Sequence, residues 1–96
     1  MKIFILPSAL GDLADGFGFY ENQEEQLGDY FLNSLLADID SLKLYGGIHR
    51  KIFGYHRSLA KRFPFAIYYE SKDQQIFVCA VLDCRRDPKW IRQKLK

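Results

Sequence analysis

The chemistry this sequence can offer is concentrated in its second half. Residues 49–96 hold twelve of the fourteen Lys and Arg and only four Asp and Glu. Residues 1–48 hold two and eight, so formal charges of −6 and +8 lie behind a net charge of +2. Eleven of the twelve form three groups: Arg50, Lys51, Arg57, Lys61 and Arg62, with His56 among them; Arg85 and Arg86; then Lys89, Arg92, Lys94 and Lys96. Such a split has two readings. Acidic helices can pack beside a basic sheet of the same chain, or the basic half can meet nucleic acid or an acidic protein. Arginine beside aromatic rings on a sheet would suit RNA, through phosphate contacts and base stacking. Strand alternation sends Tyr68 and Tyr69 to opposite faces. One is expected in the core and the other on an open surface near the arginines. By the same alternation Arg57 and Lys61 share a face and Arg62 takes the other, so no single basic stripe results.

Other chemistries lack their residues. His49 and His56 are seven positions apart with no cysteine or carboxylate at ligand spacing, which argues against a zinc site or any metal. A glycine-rich phosphate loop and a dinucleotide fingerprint are absent, so no cofactor is implied. No serine sits in a nucleophile elbow. The general acids or bases on offer in the second half are His49, His56, Glu70, Asp73, Asp83 and Asp87. None is marked by its neighbours, and each reads as a surface or capping residue. Cys79 and Cys84 read as one strand, which sets them about 16 Å apart at about 3.3 Å per residue. A disulfide reaches about 7 Å, so two reduced thiols are expected, in keeping with a cytosolic protein.

The elements that must position these groups follow from composition and period. The 96 residues are 48% hydrophobic and 27% charged, which fits one folded domain over 1–96 and not a disordered chain. No apolar run is long enough to span a membrane. The apolar stretch before Pro7 is shorter than a secretory signal, so a cytoplasmic location is expected. Met1–Leu6 reads as a strand stopped by Pro7, with Ser8 as the cap of a first helix ending near Gln26. Leu10, Leu13, Phe17 and Tyr20 form its apolar face, and Asp12, Asp15, Glu21, Glu24 and Glu25 its solvated side. Gly16 and Gly18 weaken it unless close packing needs them. Phe31, Leu35, Ile39 and Leu42 mark a second helix over about 29–44, broadened by Leu32 and Leu36 and closed by Gly46-Gly47. The short connection makes the two helices an antiparallel hairpin.

Three strands follow, Tyr55–Arg62, Phe65–Tyr69 and Ile76–Leu82, the last apolar on both faces and so covered on both. Ser71–Gln74 is a turn, and the turn lengths make the three an antiparallel meander. Asp87-Pro88 opens a short terminal helix carrying Trp90, Ile91 and Leu95. The expected fold is α+β: a helical hairpin packed on an antiparallel sheet, in the order β-α-α-β-β-β with a short C-terminal helix.

Two stretches carry a family resemblance. Arg62-Phe63-Pro64-Phe65-Ala66-Ile67-Tyr68-Tyr69-Glu70, followed by Ile76–Leu82 and Cys84-Arg85-Arg86-Asp87-Pro88-Lys89-Trp90, resembles the ParE/RelE toxin superfamily of type II toxin–antitoxin (plasmid stabilisation) modules. Leu13–Glu21 and Leu27–Leu32 are similar to its helical hairpin. The resemblance covers nearly the whole chain. It implies a small toxin held inactive by a cognate antitoxin in a hetero-oligomer, the antitoxin laying helical and extended segments on the hairpin and sheet.

The superfamily has two biochemical branches. RelE-like members are ribosome-dependent mRNA endoribonucleases, which would draw on Lys61, Arg62, Arg85 and Arg86 here. ParE-like members inhibit DNA gyrase by binding. Ala66 stands where RelE-like toxins often place an arginine, and Trp90 lies near where they carry a tyrosine. An indole has no acidic hydroxyl. The ParE-like branch is therefore the expectation, with Arg57, Arg85, Arg86 and Trp90 meeting the target, no cofactor and growth arrest as the outcome. The alternatives are the endoribonuclease and an inert or repurposed interaction module.

Overall fold

The structure, a computed structural model, describes residues 1–96. Its elements are β1 (Lys2–Ile5), α1 (Pro7–Glu21), α2 (Leu27–Asp40), α3 (Leu42–Tyr45), β2 (Lys51–Ile52), β3 (Tyr55–Leu59), β4 (Phe65–Lys72), β5 (Gln75–Asp83) and α4 (Pro88–Lys94). One five-stranded sheet runs β1-β5-β4-β3-β2. The expected α+β fold and the β3–β4–β5 meander are present. Several features differ from the sequence reading. β3 stops at Leu59, so Lys61 and Arg62 lie in the bend beyond it and do not alternate on a strand, and the helix expected over 29–44 is α2 and a separate α3, broken at Ser41. β1 pairs parallel with β5 and makes the sheet mixed, covering part of an edge that a meander alone leaves bare. A short strand, β2, pairs with β3 through a two-residue turn and extends the other edge.

The period of β5 holds the key to both faces. Tyr68 pairs with Ala80 but Tyr69 with Val78, so Cys79 is an extra, bulged residue. The bulge shifts parity. Ile76, Val78 and Val81 therefore share one face, with Phe65, Ile67 and Tyr69, under the helical hairpin. Ala80 and Leu82 share the other with Ala66 and Tyr68, under Ile91 and Leu95 of α4. Tyr68 does not face an open surface as expected from alternation. It is 1% exposed because α4 lies over it. Both tyrosines are core residues.

The helices meet the sheet through groups that look solvated in the sequence. β1 stops opposite Val78, and β5 runs on without a partner strand on that side. Ser8 does not cap α1. Its hydroxyl donates to the Cys79 carbonyl at 2.7 Å, and Leu6 takes the cap position. Asp12, one turn later, accepts the Val81 N–H at 3.0 Å. The two side chains replace ladder bonds that buried backbone must find somewhere. α1 ends at Glu21, short of Gln26. The Glu21 carboxylate then accepts N–H bonds from Gln26 (3.1 Å) and Gly28 (2.9 Å), placing negative charge at the start of α2. A Cβ on Gly16 would lie 2.5 Å from the Phe31 ring, so this glycine lets the helices close on each other. Gly18 meets nothing.

Phe53 and Gly54 join β2 to β3 with φ of 55° and 87°. Positive φ at both central residues is the type I′ turn that suits twisted hairpins. A phenylalanine in this left-handed region costs about 1–2 kcal/mol.

Candidate target-binding site

The sheet end at which β5 runs into α4 gathers the basic residues. The Cys84 N–H donates to the Pro64 carbonyl at 2.8 Å, joining the bend after β3 to the turn after β5. Lys61 and Arg62 sit exposed in that bend. The bend is held to α2 by the Lys61 N–H, which donates to the buried Asp38 carboxylate at 3.1 Å. Arg57 lies on β3 opposite Tyr68, and burial pushes the Tyr68 hydroxyl pKa up against the opposing effect of Arg57.

Arg85 and Arg86 have different fates. Asp83 accepts the Arg85 backbone N–H at 2.8 Å and grips its guanidinium through Nε (3.0 Å) and Nη2 (2.8 Å). These bonds hold the Asp83 carboxyl below its ordinary pKa and raise that of Arg85. The charge of Arg85 is thus matched inside the chain. Arg86 makes no ion pair and lies with its guanidinium carbon 3.9 Å from the Trp90 ring centre. The cation and the ring form one planar surface.

Asp87 and Pro88 do what their types predict. The Asp87 carboxylate accepts the Lys89 N–H at 2.8 Å and Pro88 opens α4. Trp90 is half-buried against the small core beneath α4. It walls a cleft of about 300 Å³ between α1, β5 and α4, with Asp12, Asp15, Phe19, Arg86 and Lys94. Burial pushes the Asp12 pKa up, against the Val81 N–H bond and the attraction of Lys94, whose Nζ is 3.9 Å away. Neither histidine, serine nor cysteine lines the cleft. The arrangement offers aromatic walls and charges of both signs, which suits gripping side chains of a partner. The sequence reading missed Asp12, Asp15 and Phe19 here. The one available signal was the four-residue spacing of Ser8 and Asp12.

Cys79 and Cys84 are unlinked. Burial raises the Cys79 thiol pKa, which makes it a poor nucleophile. No group of three or more His, Cys, Asp and Glu is placed to hold a metal ion.

A second surface lies on the helical hairpin. Leu10, Leu13, Ala14, Phe17, Leu32 and Leu36 line a wholly apolar groove of about 480 Å³ between α1 and α2. Leu36 also lines a hollow beside the outer edge of β1, and that edge carries no strand. No Lys or Arg occurs between Lys2 and Lys43, so the only charges on these two helices are negative.

The helical hairpin, the mixed sheet and the terminal helix together define a ParE/RelE-type toxin fold. A solved structure described as a chromosomal ParDE TA system from P. aeruginosa is similar to it, with a TM-score of 0.75 at 14% sequence identity. The match covers 84% of this chain and 92% of that one. No family model and no curated protein matches the sequence.

Proposed function

We propose that this chain is the toxin of a type II toxin–antitoxin pair, ParE-like, acting in the cytoplasm by binding DNA gyrase and arresting growth. The observation that carries the choice of binding over cleavage is α4. It seals the sheet face on which Arg57 and Tyr68 lie, and Tyr68 has almost no exposure. RNA cannot stack there while α4 stays in place. Free cationic and aromatic surface instead occurs at Arg86 and Trp90. Arg85 orders the turn that presents them, and Arg57 supports the same sheet end from β3.

The apolar groove of α1 and α2 suits the antitoxin. Its surroundings favour an amphipathic helix with basic flanks, followed by an extended segment at the free edge of β1. Toxin and antitoxin would then form a hetero-oligomer.

The test is a supercoiling assay with purified gyrase, ATP and relaxed plasmid. Inhibition that the antitoxin relieves is the expected result, and Arg86→Ala with Trp90→Ala should weaken it at least tenfold in a folded protein. Absence of inhibition by folded wild-type protein would remove gyrase as the target. Cleaved mRNA on ribosomes would then favour the endoribonuclease, with Lys61, Arg62, Arg85 and Arg86 as residues to replace. No growth arrest at all would favour an interaction module.

A further inference from the structure

The β2–β3 hairpin and α4 come from opposite ends of an otherwise interrupted basic half, and the fold joins them. The Tyr55 hydroxyl donates to the Leu95 carbonyl at 3.0 Å. The Arg92 guanidinium carbon lies 5.3 Å from the centre of the Phe53 ring. Neither partner brings a carboxylate side chain: there is no Asp or Glu from Ser41 to Tyr69, nor from Pro88 to Lys96. Ile91 and Leu95 point into the core. The helical period then sends Lys89 and Arg92, three apart, to the outward arc of α4, and Lys96 follows just past the end of the helix. None of the three makes an ion pair. Trp90 and Lys94 lie on the opposite flank, at the cleft, so this face is separate from the one assigned to the toxin's target.

Phe53 is the second observation. The turn asks for glycine or asparagine, and the chain holds a phenylalanine there in a left-handed conformation. Phe53 is 41% exposed and belongs to neither core. An exposed contact with Arg92 returns less than the turn strain costs. The ring is thus held at a strained turn position with much of its surface open to a partner.

We propose that the face formed by Phe53, Lys89, Arg92 and Lys96 binds single-stranded nucleic acid, with Phe53 stacking on a base and the three cations meeting phosphates. A purely acidic protein surface would use the cations but not the strained ring. Single strands offer both unstacked bases and phosphates.

The test is fluorescence anisotropy with labelled single-stranded DNA and RNA of one sequence, titrated with the folded protein over a range of salt. Wild type should bind, with log affinity falling against log salt at a slope of about −2 for three phosphate contacts. Phe53→Gly relieves the turn, so its melting temperature should hold or rise while affinity falls about fivefold or more. Lys89→Gln with Lys96→Gln should flatten the slope to about −0.7. A preference between the two strands then names the sugar recognised. Three results would overturn the proposal: no binding at low salt, Phe53→Gly binding as well as wild type, or polyglutamate competing as well as either strand. The last would point to an acidic protein.

Discussion

On one face of the sheet thirteen buried residues pack between the strands and α1, α2 and α3. On the other, six pack between the strands and α4. The first face is covered by acidic helices and the second by a basic one. Depth and charge therefore separate together. The deep side buries the larger core, and its outer surface carries the apolar groove. The shallow side is a single two-turn helix set across Ala66, Tyr68, Ala80 and Leu82. With Lys96 just past its end, this helix displays the unpaired cations Lys89 and Arg92, and it rests on the sheet through Ile91, Leu95 and the Tyr55 bond. The sequence alone left open whether the charge split was settled inside the chain or aimed outward. Only one ion pair, a long one between Asp12 and Lys94, joins the acidic hairpin to the basic half. The split is directed mainly at solvent.

The largest effect that tests this contrast is in the cores. Phe31→Ala should cost about 3–5 kcal/mol in chemical denaturation. Ile91→Ala should cost about 2 kcal/mol, and amides of α4 should exchange early while those of β4 and β5 stay protected. Equal costs with uniform exchange would erase the distinction between deep and shallow sides.

A smaller effect sits where the two sides touch. Asp12→Ala leaves the Val81 N–H without a partner and should cost about 1–3 kcal/mol. Asp12→Asn keeps an acceptor and removes a carboxylate whose pKa burial has raised. A raised carboxylate pKa means that ionisation opposes folding as pH climbs through the window above 3.8. The asparagine variant should therefore match or exceed wild type in urea melts at pH 7. If it is as weak as the alanine variant, the ion pair with Lys94 matters more than the backbone bond.

The mildest test separates two glycines of one helix. Gly18→Ala meets open space and should gain about 0.5–1 kcal/mol from helix propensity. Gly16→Ala would press on Phe31 and should lose about 1–3 kcal/mol. Thermal melts of the two should shift in opposite directions.

Much of the fold was legible because its signals are local. Phe31, Leu35, Ile39 and Leu42 repeat at helical spacing, and all four are buried. Asp87-Pro88 starts a helix by capping chemistry that needs no distant partner. β2 was not legible, because two residues carry no period and only their pairing with β3 makes them a strand. The candidate site was half legible. Arg86 and Trp90 stand out as residue types, but nothing in their order tells that Arg85 is neutralised by Asp83 while Arg86 is free.

What the sequence by itself determined is the inventory: a helical hairpin, an antiparallel meander, a capped terminal helix and an uneven charge. These follow from periodicity, turn residues and composition, each set within a few positions. Tertiary structure alone decided which groups face one another. The bulge at Cys79 changed the parity of β5 and so which residues lie under α4. The early end of β1 left an edge for Ser8 and Asp12 to satisfy. The crossing of α4 buried Tyr68 and set Arg92 beside Phe53. Each depends on where one element stops against another. That is fixed by long-range packing and by the need to pair every buried backbone group, which no local pattern encodes.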